Sequence, residues 1–218
     1  MKREHIFDKG DLPPFYEDLV FYAPLTEGDL SDHISGNTMS VLSPGGVAWD
    51  GNMGMYLFNG AAPARTFKTL FSWNGLDLDL QTTVTASVLH HTIHHKLTFV
   101  SSGIYHRAYP TFSYVRGTNQ YAYICLYAKS YYNYNFIDNE LYSITEVIDG
   151  STTNLYVNGI RTASVSTILN GNMSYSQLGT TFNIYPLHQG DTAQGGISYN
   201  RDIRVYNRVM SDSEVAQL

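Results

Sequence analysis

Cysteine is nearly absent from this chain: Cys125 is the single cysteine in 218 residues, so no disulfide can form within the chain. The folded state must therefore be held together by packing and hydrogen bonds. Size scaling gives a folded surface of about 10,000 Å² against roughly 35,000 Å² for the open chain, which is enough for one core of ordinary size. We expect a single main domain.

Long apolar runs are also missing. No stretch approaches the ~18 apolar residues that cross a bilayer, so we expect no membrane partner. The positively charged residues 1–3 are followed by Glu4 and Asp8, which leaves no apolar run or cleavage site typical of a signal peptide. The protein is therefore expected to be synthesised in the cytoplasm without a signal peptide.

Positive charge is in deficit, with 13 Lys and Arg against 19 Asp and Glu and a net charge of −6. Because such a surface repels phosphate overall, we expect no nucleic-acid partner. Tyr and Gly, by contrast, number 18 each, which favours strands and turns over helices.

Strand patterns recur along the chain and end in a helix signal. Ile203 and Val205 alternate with polar neighbours, as in a strand with one buried face, and Ser211 and Glu214 have the spacing of a capping box. Further strands are predicted at residues 20–24, 47–50, 55–58, 82–90, 97–101, 111–116, 121–128, 141–148, 154–158 and 182–185. Short strands with frequent turns predict a sandwich or a barrel.

Three segments, at the start, middle and end of the chain, match motifs of one superfamily. Residues 202–214 resemble the closing pattern D-x-R-x-Y-x-R-x-L-[ST]-x-x-E of concanavalin A-like, laminin-G-like domains, with Met210 at the Leu position. Residues 149–159 resemble the D-G…L-Y-V-N-G hairpin of these domains, and residues 22–37 resemble their opening Y-x-P-L…D-x-S-G-N. The resemblance implies an all-β fold, a two-sheet antiparallel jelly-roll sandwich with a short C-terminal helical turn, over residues 18–218.

Residues 1–17 precede this domain and contain the pair Pro13-Pro14 near their end. A proline restricts the residue before it to extended conformations, so this segment is predicted to be an extended N-terminal arm. Such an arm either attaches the protein to a partner or is a frayed terminus.

Tyrosines in strand patterns are the candidate ligand-binding residues. In residues 121–128, Tyr121, Tyr123 and Tyr127 alternate with aliphatic residues, so their rings are predicted to stand in one row on one sheet face. Tyr156 and Tyr206 occupy the corresponding non-aliphatic face of their own strands. Such a row suits the apolar face of a sugar ring, although cross-strand Tyr pairs also stabilise a sheet without any ligand. Tyr131, Tyr132 and Tyr134 follow in a predicted loop, where they could form a binding rim or a protein contact.

Four histidines occur between residues 90 and 95. On a helical turn, His91 and His95 would share a face and could chelate a metal. The run lies between two strand patterns, however, so we predict a solvated hairpin tip whose charge changes near pH 6.5.

Calcium is open as a cofactor, since it prefers oxygen ligands gathered in loops, but the same residue types are also the usual turn formers. The residues concerned are Asp29, Asp32, Asp50, Asn52, Asp138, Asn139, Glu140 and Asp191. None of them forms part of an EF-hand or another closed calcium motif, and the metal-ligating residues are unknown from the sequence.

Catalytic patterns are missing. Retaining glycosidases need two carboxylates about 5 Å apart. Laminarinase-like relatives carry these as E-x-D-x-E on one strand face, and no such run occurs here. Asp77 and Asp79 would share a face but are typical of a solvated edge, and Glu140 and Glu146 are too far apart along a strand. Neither a lyase signature nor a nucleophile or phosphate motif occurs, so we predict that the protein is not an enzyme.

The combined prediction is a non-catalytic, lectin-like module for carbohydrate binding or adhesion, with a glycan or surface polysaccharide as partner. By analogy, the polar surface, the arm and the missing signal peptide favour a location on the surface of a phage-like virion. The alternative is a structural appendage or decoration protein that packs its sheet face against other virion proteins or against itself as a trimer. A polysaccharide-cleaving enzyme of the jelly-roll type comes third.

Overall fold

The described part of the computed structural model is built almost entirely from β-strands. It comprises residues 12–26, 28–34, 36, 38, 40–41, 46–50, 54–58, 69–73, 90–101, 111–116, 120–124, 134, 136–137, 139–166, 169–170, 180–185 and 197–218. These ranges also contain a 3-10 helix, Tyr16–Asp18, and a short helix α1, Asp212–Val215. The predicted all-β class with a short C-terminal helical turn is confirmed. Within the same ranges, no helix has the length and apolar character needed to cross a bilayer.

The strands of the described residues range from two to twelve residues in length. They are β1 (Leu19–Ala23), β2 (Ser40–Val41), β3 (Gly46–Asp50), β4 (Gly54–Phe58), β5 (Thr69–Trp73), β6 (His90–Ser101), β7 (Thr111–Arg116), β8 (Gln120–Ile124), β9 (Leu141–Asp149), β10 (Thr152–Val157), β11 (Ile160–Ser166), β12 (Leu169–Asn170), β13 (Thr180–Tyr185) and β14 (Ile197–Tyr206).

These strands form two antiparallel sheets. The first sheet has eight strands in the order β11-β10-β9-β6-β14-β4-β3, and β1 also pairs with β14. The second sheet has six strands in the order β12-β8-β7-β13-β5-β2. The last long strand of the chain, β14, therefore lies inside the first sheet, between β6 and β4.

Several predicted strands are confirmed, some with shifted ends. Strand β7 has the predicted bounds, 111–116, whereas β9 extends the predicted 141–148 by one residue, and β14 begins six residues before Ile203. The predicted strand 82–90 lies outside the described residues except for His90, and 121–128 is described only to Ile124.

Strands β9 and β10 are buried on both faces. Because successive side chains of a strand point to opposite faces, Leu155 and Val157 pack in one cluster and Tyr156 packs in another. The first cluster contains Phe136, Tyr142, Ile144, Leu155 and Val157, with Ala163 and Val165 packed against it. The second contains Leu19, Val147, Tyr156, Tyr206, Met210 and Val215. We call these the first and second clusters.

The ends of the described chain cover the second cluster. Phe15 and Leu218 both pack against it, and Pro13 and Tyr16 are buried. The predicted arm, residues 1–17, is described from residue 12 onward, and this part lies on the sheet.

Helix α1 begins at the predicted capping box. The Glu214 carboxylate accepts hydrogen bonds from the backbone N–H of Ser211 at 2.9 Å and from its hydroxyl at 2.8 Å. These bonds satisfy groups that the first turn of a helix leaves without intrahelical partners, and the helix signal read from the sequence is confirmed.

The histidine run is not the predicted hairpin tip. It belongs to β6, which is the fourth strand from the β11 end of the first sheet, and His91, His94 and His95 are buried. Burial disfavours the charged form and lowers the pKa of His91 to about 4 and that of His95 to about 3. The predicted charge change near pH 6.5 is therefore wrong for these two residues, because β6 lies inside the sheet and both side chains are buried.

Candidate binding site

Exposed apolar side chains gather at one end of strands β9 to β11. Among the described residues, the large hydrophobic side chains that are exposed are Tyr134 at 37%, Ile137 at 54%, Leu141 at 43% and Ile160 at 70%. Leu141 is the first residue of β9 and Ile160 the first of β11, while Tyr134 and Ile137 lie in the segment that leads into β9. We call these four residues the apolar end.

The hairpin between β10 and β11 brings Ile160 to this end. Asn158 and Gly159 form its two-residue loop with φ of 51° and 76°, the positive values that an Asn-Gly hairpin turn requires. The backbone N–H of Asn158 donates to the carbonyl of Ser143 at 2.7 Å, and the N–H of Ser143 donates to Oδ1 of Asn158 at 2.9 Å. The loop is thereby fixed beside the beginning of β9.

Two buried aromatic rings, Phe136 and Tyr142, hold Tyr134 in place. The Tyr134 ring lies 5.0 Å from Phe136 and 5.8 Å from Tyr142 between centroids, and the last two rings meet edge to face at 4.9 Å. Phe136 and Tyr142 are buried in the first cluster, whereas Tyr134 reaches the surface. Such ring pairs each add roughly 0.5–1.5 kcal/mol beyond the burial of their area, so Tyr134 presents an exposed ring on a fixed base.

The hydroxyl of Tyr142 fastens the segment that carries these rings. It accepts a hydrogen bond from the backbone N–H of Ile137 at 2.7 Å and donates to Oε2 of Glu140 at 3.1 Å. Burial, together with the nearby Glu140 carboxylate, raises the pKa of Tyr142 above its usual value, so this hydroxyl remains a donor at neutral pH. The exposed Glu140 also places a hydrogen-bond acceptor beside the apolar end.

This arrangement suits a ligand that has one apolar face and several hydroxyl groups. A flat exposed ring can pack against sugar C–H groups, and its phenolic oxygen can form a hydrogen bond at the edge. The aliphatic side chains Ile137, Leu141 and Ile160 are exposed at the same end of the strands. Tyr134 is therefore the described residue best placed to touch a sugar.

The candidate tyrosines that the structure describes lie in both sheets. Tyr121 and Tyr123 lie in β8 of the second sheet, whereas Tyr156 and Tyr206 lie in β10 and β14 of the first sheet. Tyr127 lies outside the described residues. The predicted row of Tyr121, Tyr123 and Tyr127 therefore stays a prediction.

The expectation that Tyr156 and Tyr206 stand on an accessible face is wrong, because both rings are buried in the second cluster. The Tyr156 hydroxyl donates to Oδ1 of Asp212 at 2.7 Å and that of Tyr206 to the Pro14 carbonyl at 3.1 Å. Burial raises the pKa of both phenols to about 12. The N-terminal segment and α1 cover this face. The alternation of residues along a strand does not indicate whether another segment covers one of its faces.

Of the three tyrosines predicted to lie in a loop, the structure describes one. Tyr134 lies in a loop with its ring exposed, as predicted, while Tyr131 and Tyr132 lie outside the described residues. Its neighbours Ile137, Leu141 and Ile160 were missed, although an apolar residue directly after the Asn-Gly turn is a signal that could have indicated Ile160.

Two of the candidate calcium ligands have structural roles. Asp32 is fully buried, and its Oδ1 accepts hydrogen bonds from the backbone N–H of Tyr22 at 2.9 Å and of Ile34 at 3.0 Å. Oδ2 of Asp29 lies 2.6 Å from Nε2 of His33. Asn52, Asp138 and Asp191 lie outside the described residues. Within the part of the chain that the structure describes, no group of three His, Cys, Asp or Glu side chains is placed to hold a metal.

Comparisons with known proteins support the fold. No protein-family model and no curated protein sequence matches this chain. Among solved structures, the chain is similar to domain 4 of AbnA, an extracellular GH43 arabinanase from Geobacillus stearothermophilus determined in complex with arabinotriose. The TM-score is 0.57 at 14% identity, with 91% of this chain and 97% of that domain covered.

Two further similarities are to parts of larger chains. The botulinum neurotoxin serotype G binding domain matches with a TM-score of 0.55 at 13% identity, over 91% of this chain and 50% of that one. Trypanosoma rangeli sialidase in complex with sialic acid matches with a TM-score of 0.57 at 12% identity, over 95% of this chain and 33% of the sialidase. This chain thus spans half of one protein and a third of the other, and at these identities the likeness concerns the β-sandwich fold.

Proposed function

We propose that this protein is a non-catalytic carbohydrate-binding module that binds a glycan at the apolar end, with the Tyr134 ring packed against a sugar face. The observation that carries the proposal is the exposed ring of Tyr134 on the buried rings of Phe136 and Tyr142. A ring that is already fixed loses little conformational freedom when a ligand binds, which favours affinity.

The fold supports the same proposal by analogy. The similar AbnA domain was determined in complex with arabinotriose, and the sialidase, of which this chain matches a third, was determined with sialic acid. A common fold does not determine function, and for this chain the argument depends on Tyr134. Within the β-sandwiches, we assign the chain to the concanavalin A-like, laminin-G-like group on its three motif-like segments.

The absence of catalysis is part of the proposal. Glu146, a carboxylate of β9, is buried at 5% exposure and pairs in register with Leu155 and Ile93, whereas Glu140 is exposed at the apolar end. One carboxylate is thus buried within the sheet and the other lies at its end. This separation does not suit a hydrolase that needs two carboxylates about 5 Å apart.

We place this module on the surface of a phage-like virion, after synthesis in the cytoplasm. The acidic composition with abundant Tyr supports a role outside nucleic-acid binding. Mass spectrometry of purified particles should identify the chain as a stoichiometric component, and its absence from intact particles would refute this location.

Glycan-array binding by the full chain, with and without a chelator, tests the binding proposal. We expect at least one glycan to bind, Tyr134→Ala to weaken its binding at least tenfold, and Tyr134→Phe to retain most of it because the apolar ring face remains. Loss of binding with the chelator would assign a role to calcium. Ser166→Ala, an exposed substitution at the far end of β11, is the matched control and should bind like the unmodified protein.

Unchanged glycan binding by Tyr134→Ala would move the site away from the apolar end. The absence of binding to any glycan would contradict the carbohydrate proposal itself.

A second function is favoured by the aliphatic members of the apolar end. Ile137, Leu141 and Ile160 are exposed at one end of the strands, and exposed apolar side chains also occur in protein contacts. The chain would then be a structural virion component that assembles through this end with itself as a trimer or with other virion proteins. Light scattering should show an oligomer that Ile160→Asp converts to a monomer, whereas a monomeric unmodified protein would contradict self-assembly.

A further inference from the structure

His94 is a buried imidazole in the interior of the first sheet. It is fully buried in the middle of β6 and lies directly opposite Thr145 of β9, with 2.9 Å between Nδ1 and the Thr145 hydroxyl oxygen. Its other ring nitrogen, Nε2, is buried and has no hydrogen-bond partner among the residues that the structure describes. One side of the ring is thus anchored to β9 and the other nitrogen could accept a proton.

Cations face His94 from its own strand and from the strand on the other side. Arg204 of β14 lies directly opposite His94, so the two side chains share a sheet face, and Lys96 lies two residues further along β6 on that face. Burial, followed by the charges of Arg204 and Lys96, lowers the pKa of His94 well below its usual value. The folded structure therefore holds this ring in its neutral form.

The Asp202 carboxylate, which faces this group, is already engaged. Asp202 accepts hydrogen bonds from Nε and Nη2 of Arg204 at 2.7 and 2.8 Å, and its Oδ2 lies 2.8 Å from Nζ of Lys96. Other titratable groups described on this side are Arg201 of β14, which lies opposite Lys96, and the phenols of Tyr206 and Tyr22. The Tyr22 ring lies 5.7 Å from the Arg204 guanidinium carbon and 5.7 Å from the His33 ring. Burial is the largest cause of the raised pKa of both phenols, and the Asp29 carboxylate raises the pKa of Tyr22 further, so neither supplies negative charge at neutral pH.

The seam between β6 and β14 is irregular at the same place. Lys96 pairs with Arg201 and His94 with Arg204, so three steps along β14 correspond to two steps along β6. Asp202 within this bulge has φ of 55°, and its backbone N–H donates to the carbonyl of Pro24 at 2.9 Å instead of to β6. A bulge interrupts the ladder of hydrogen bonds, which makes this the weak point of the seam.

We propose that His94 is a pH sensor that opens the seam between β6 and β14 in acid. Binding of a proton from solvent at Nε2 converts the ring to an imidazolium opposite Arg204, inside a face from which water is excluded. Like charges on directly opposed residues destabilise a strand pair, and a buried charge is costly, so strand separation with entry of water becomes favourable. This role concerns the fold and does not depend on glycan binding at the apolar end.

Hydrogen exchange of the backbone amides, corrected for intrinsic rates, tests the proposal at pH 7.5 and pH 5.0. If the opened state has an ordinary His pKa of 6.5, protonation of one residue lowers the protection of the seam about 30-fold at pH 5.0. We expect this loss in residues 92–96 and 203–206 in addition to the loss through global unfolding, which the seam shares with the amides of β10. His94→Gln should remove most of the difference between the seam and β10.

His90→Gln is the matched control, because His90 lies in the same strand but is exposed, with Nδ1 3.0 Å from Oδ1 of Asp149. It should behave like the unmodified protein. The proposal would be overturned if the seam kept its protection at pH 5.0 or lost it only together with β10. It would also be overturned if the seam of His94→Gln lost as much protection as that of the unmodified protein.

If His94→Gln does not fold, the unmodified protein still provides a test by NMR of the His94 ring. The proposal requires the ring to be neutral as long as the seam is protected and to protonate as the seam opens. Protonation of the ring near pH 6.5 with the seam still protected would overturn it.

Discussion

The phenol of Tyr156 in β10 donates a hydrogen bond to Oδ1 of Asp212 in α1, with 2.7 Å between the two oxygens. This bond joins the sheet to the first turn of the C-terminal helix across 56 positions of the sequence. Asp212 also lies 3.0 Å from Nη2 of Arg161, so one carboxylate connects α1 to both β10 and β11. Tyr156 therefore acts as an anchor for the end of the chain.

Replacing this anchor should affect stability. We expect Tyr156→Phe to lower the free energy of unfolding by about 1 kcal/mol, since one hydrogen bond to a charged group is lost while the ring stays packed. Tyr156→Ala should cost roughly 3–5 kcal/mol because it also leaves a cavity in the second cluster. Urea denaturation measures both values. Tyr134→Phe, at an exposed ring, is the control, and equal effects of Tyr156→Phe and Tyr156→Ala would contradict the assignment.

Acid should destabilise the fold through His91 and His95. Their folded-state pKa values, about 4 and about 3, lie below the unfolded value of 6.5, so the unfolded chain binds more protons between these limits. Stability is then complete above pH 6.5 and falls as the pH drops toward 4, by about 2 kcal/mol for each residue at pH 5. Urea midpoints measured from pH 8 to pH 4.5 test this, and midpoints independent of pH would contradict it.

Asp202 should be essential to the charge balance of the first sheet. Asp202→Asn leaves the Arg204 guanidinium, 8% exposed, without its charged partner, and loss of one member of a buried pair costs about 3 kcal/mol. Asn tolerates the φ of 55° at this position, so the effect measures charge and not backbone strain. Asp18→Asn, which breaks the exposed pair with Arg208, should cost less than about 1 kcal/mol by urea denaturation. A similar loss in both variants would refute this ranking.

A side chain at Gly159 should destabilise the fold. Its φ is 76°, and a Cβ there would lie 3.0 Å from Cα of Ala216, directly after α1. Gly28 has a similar φ of 79° with nothing within 4 Å of its Cβ position, so Gly28→Ala meets the backbone strain alone. In thermal melts we expect Gly159→Ala to lower the free energy of unfolding by at least about 1 kcal/mol more than Gly28→Ala. Equal melting temperatures would show that the α1 contact is unimportant.

Local features were predictable from the sequence. The capping box of Ser211 and Glu214 is formed by neighbours three residues apart, and strand β7 was predicted with its observed bounds. The exposed loop position of Tyr134 was predicted as well. Each of these depends on interactions within one segment, which periodicity and turn residues describe directly.

The burial of particular faces was not predictable in the same way. His94 and His95 have the polar character of a hairpin tip, yet β9 and β14 flank them in the sheet. Ile160 has the apolar character of a core residue but lies at 70% exposure after a two-residue turn. In each case the burial or exposure of the side chain depends on other strands or on a turn. The alternation of polar and apolar residues within the segment itself does not specify these.

The sequence by itself determined that this chain forms strands, where several of them lie and that a short helix ends it, because alternation, turns and caps are local properties of the chain. Tertiary structure alone decided which faces of those strands meet water. The Tyr206 hydroxyl bonds to the Pro14 carbonyl across 192 positions, and contacts between such distant residues turned a predicted sugar-binding face into the interior.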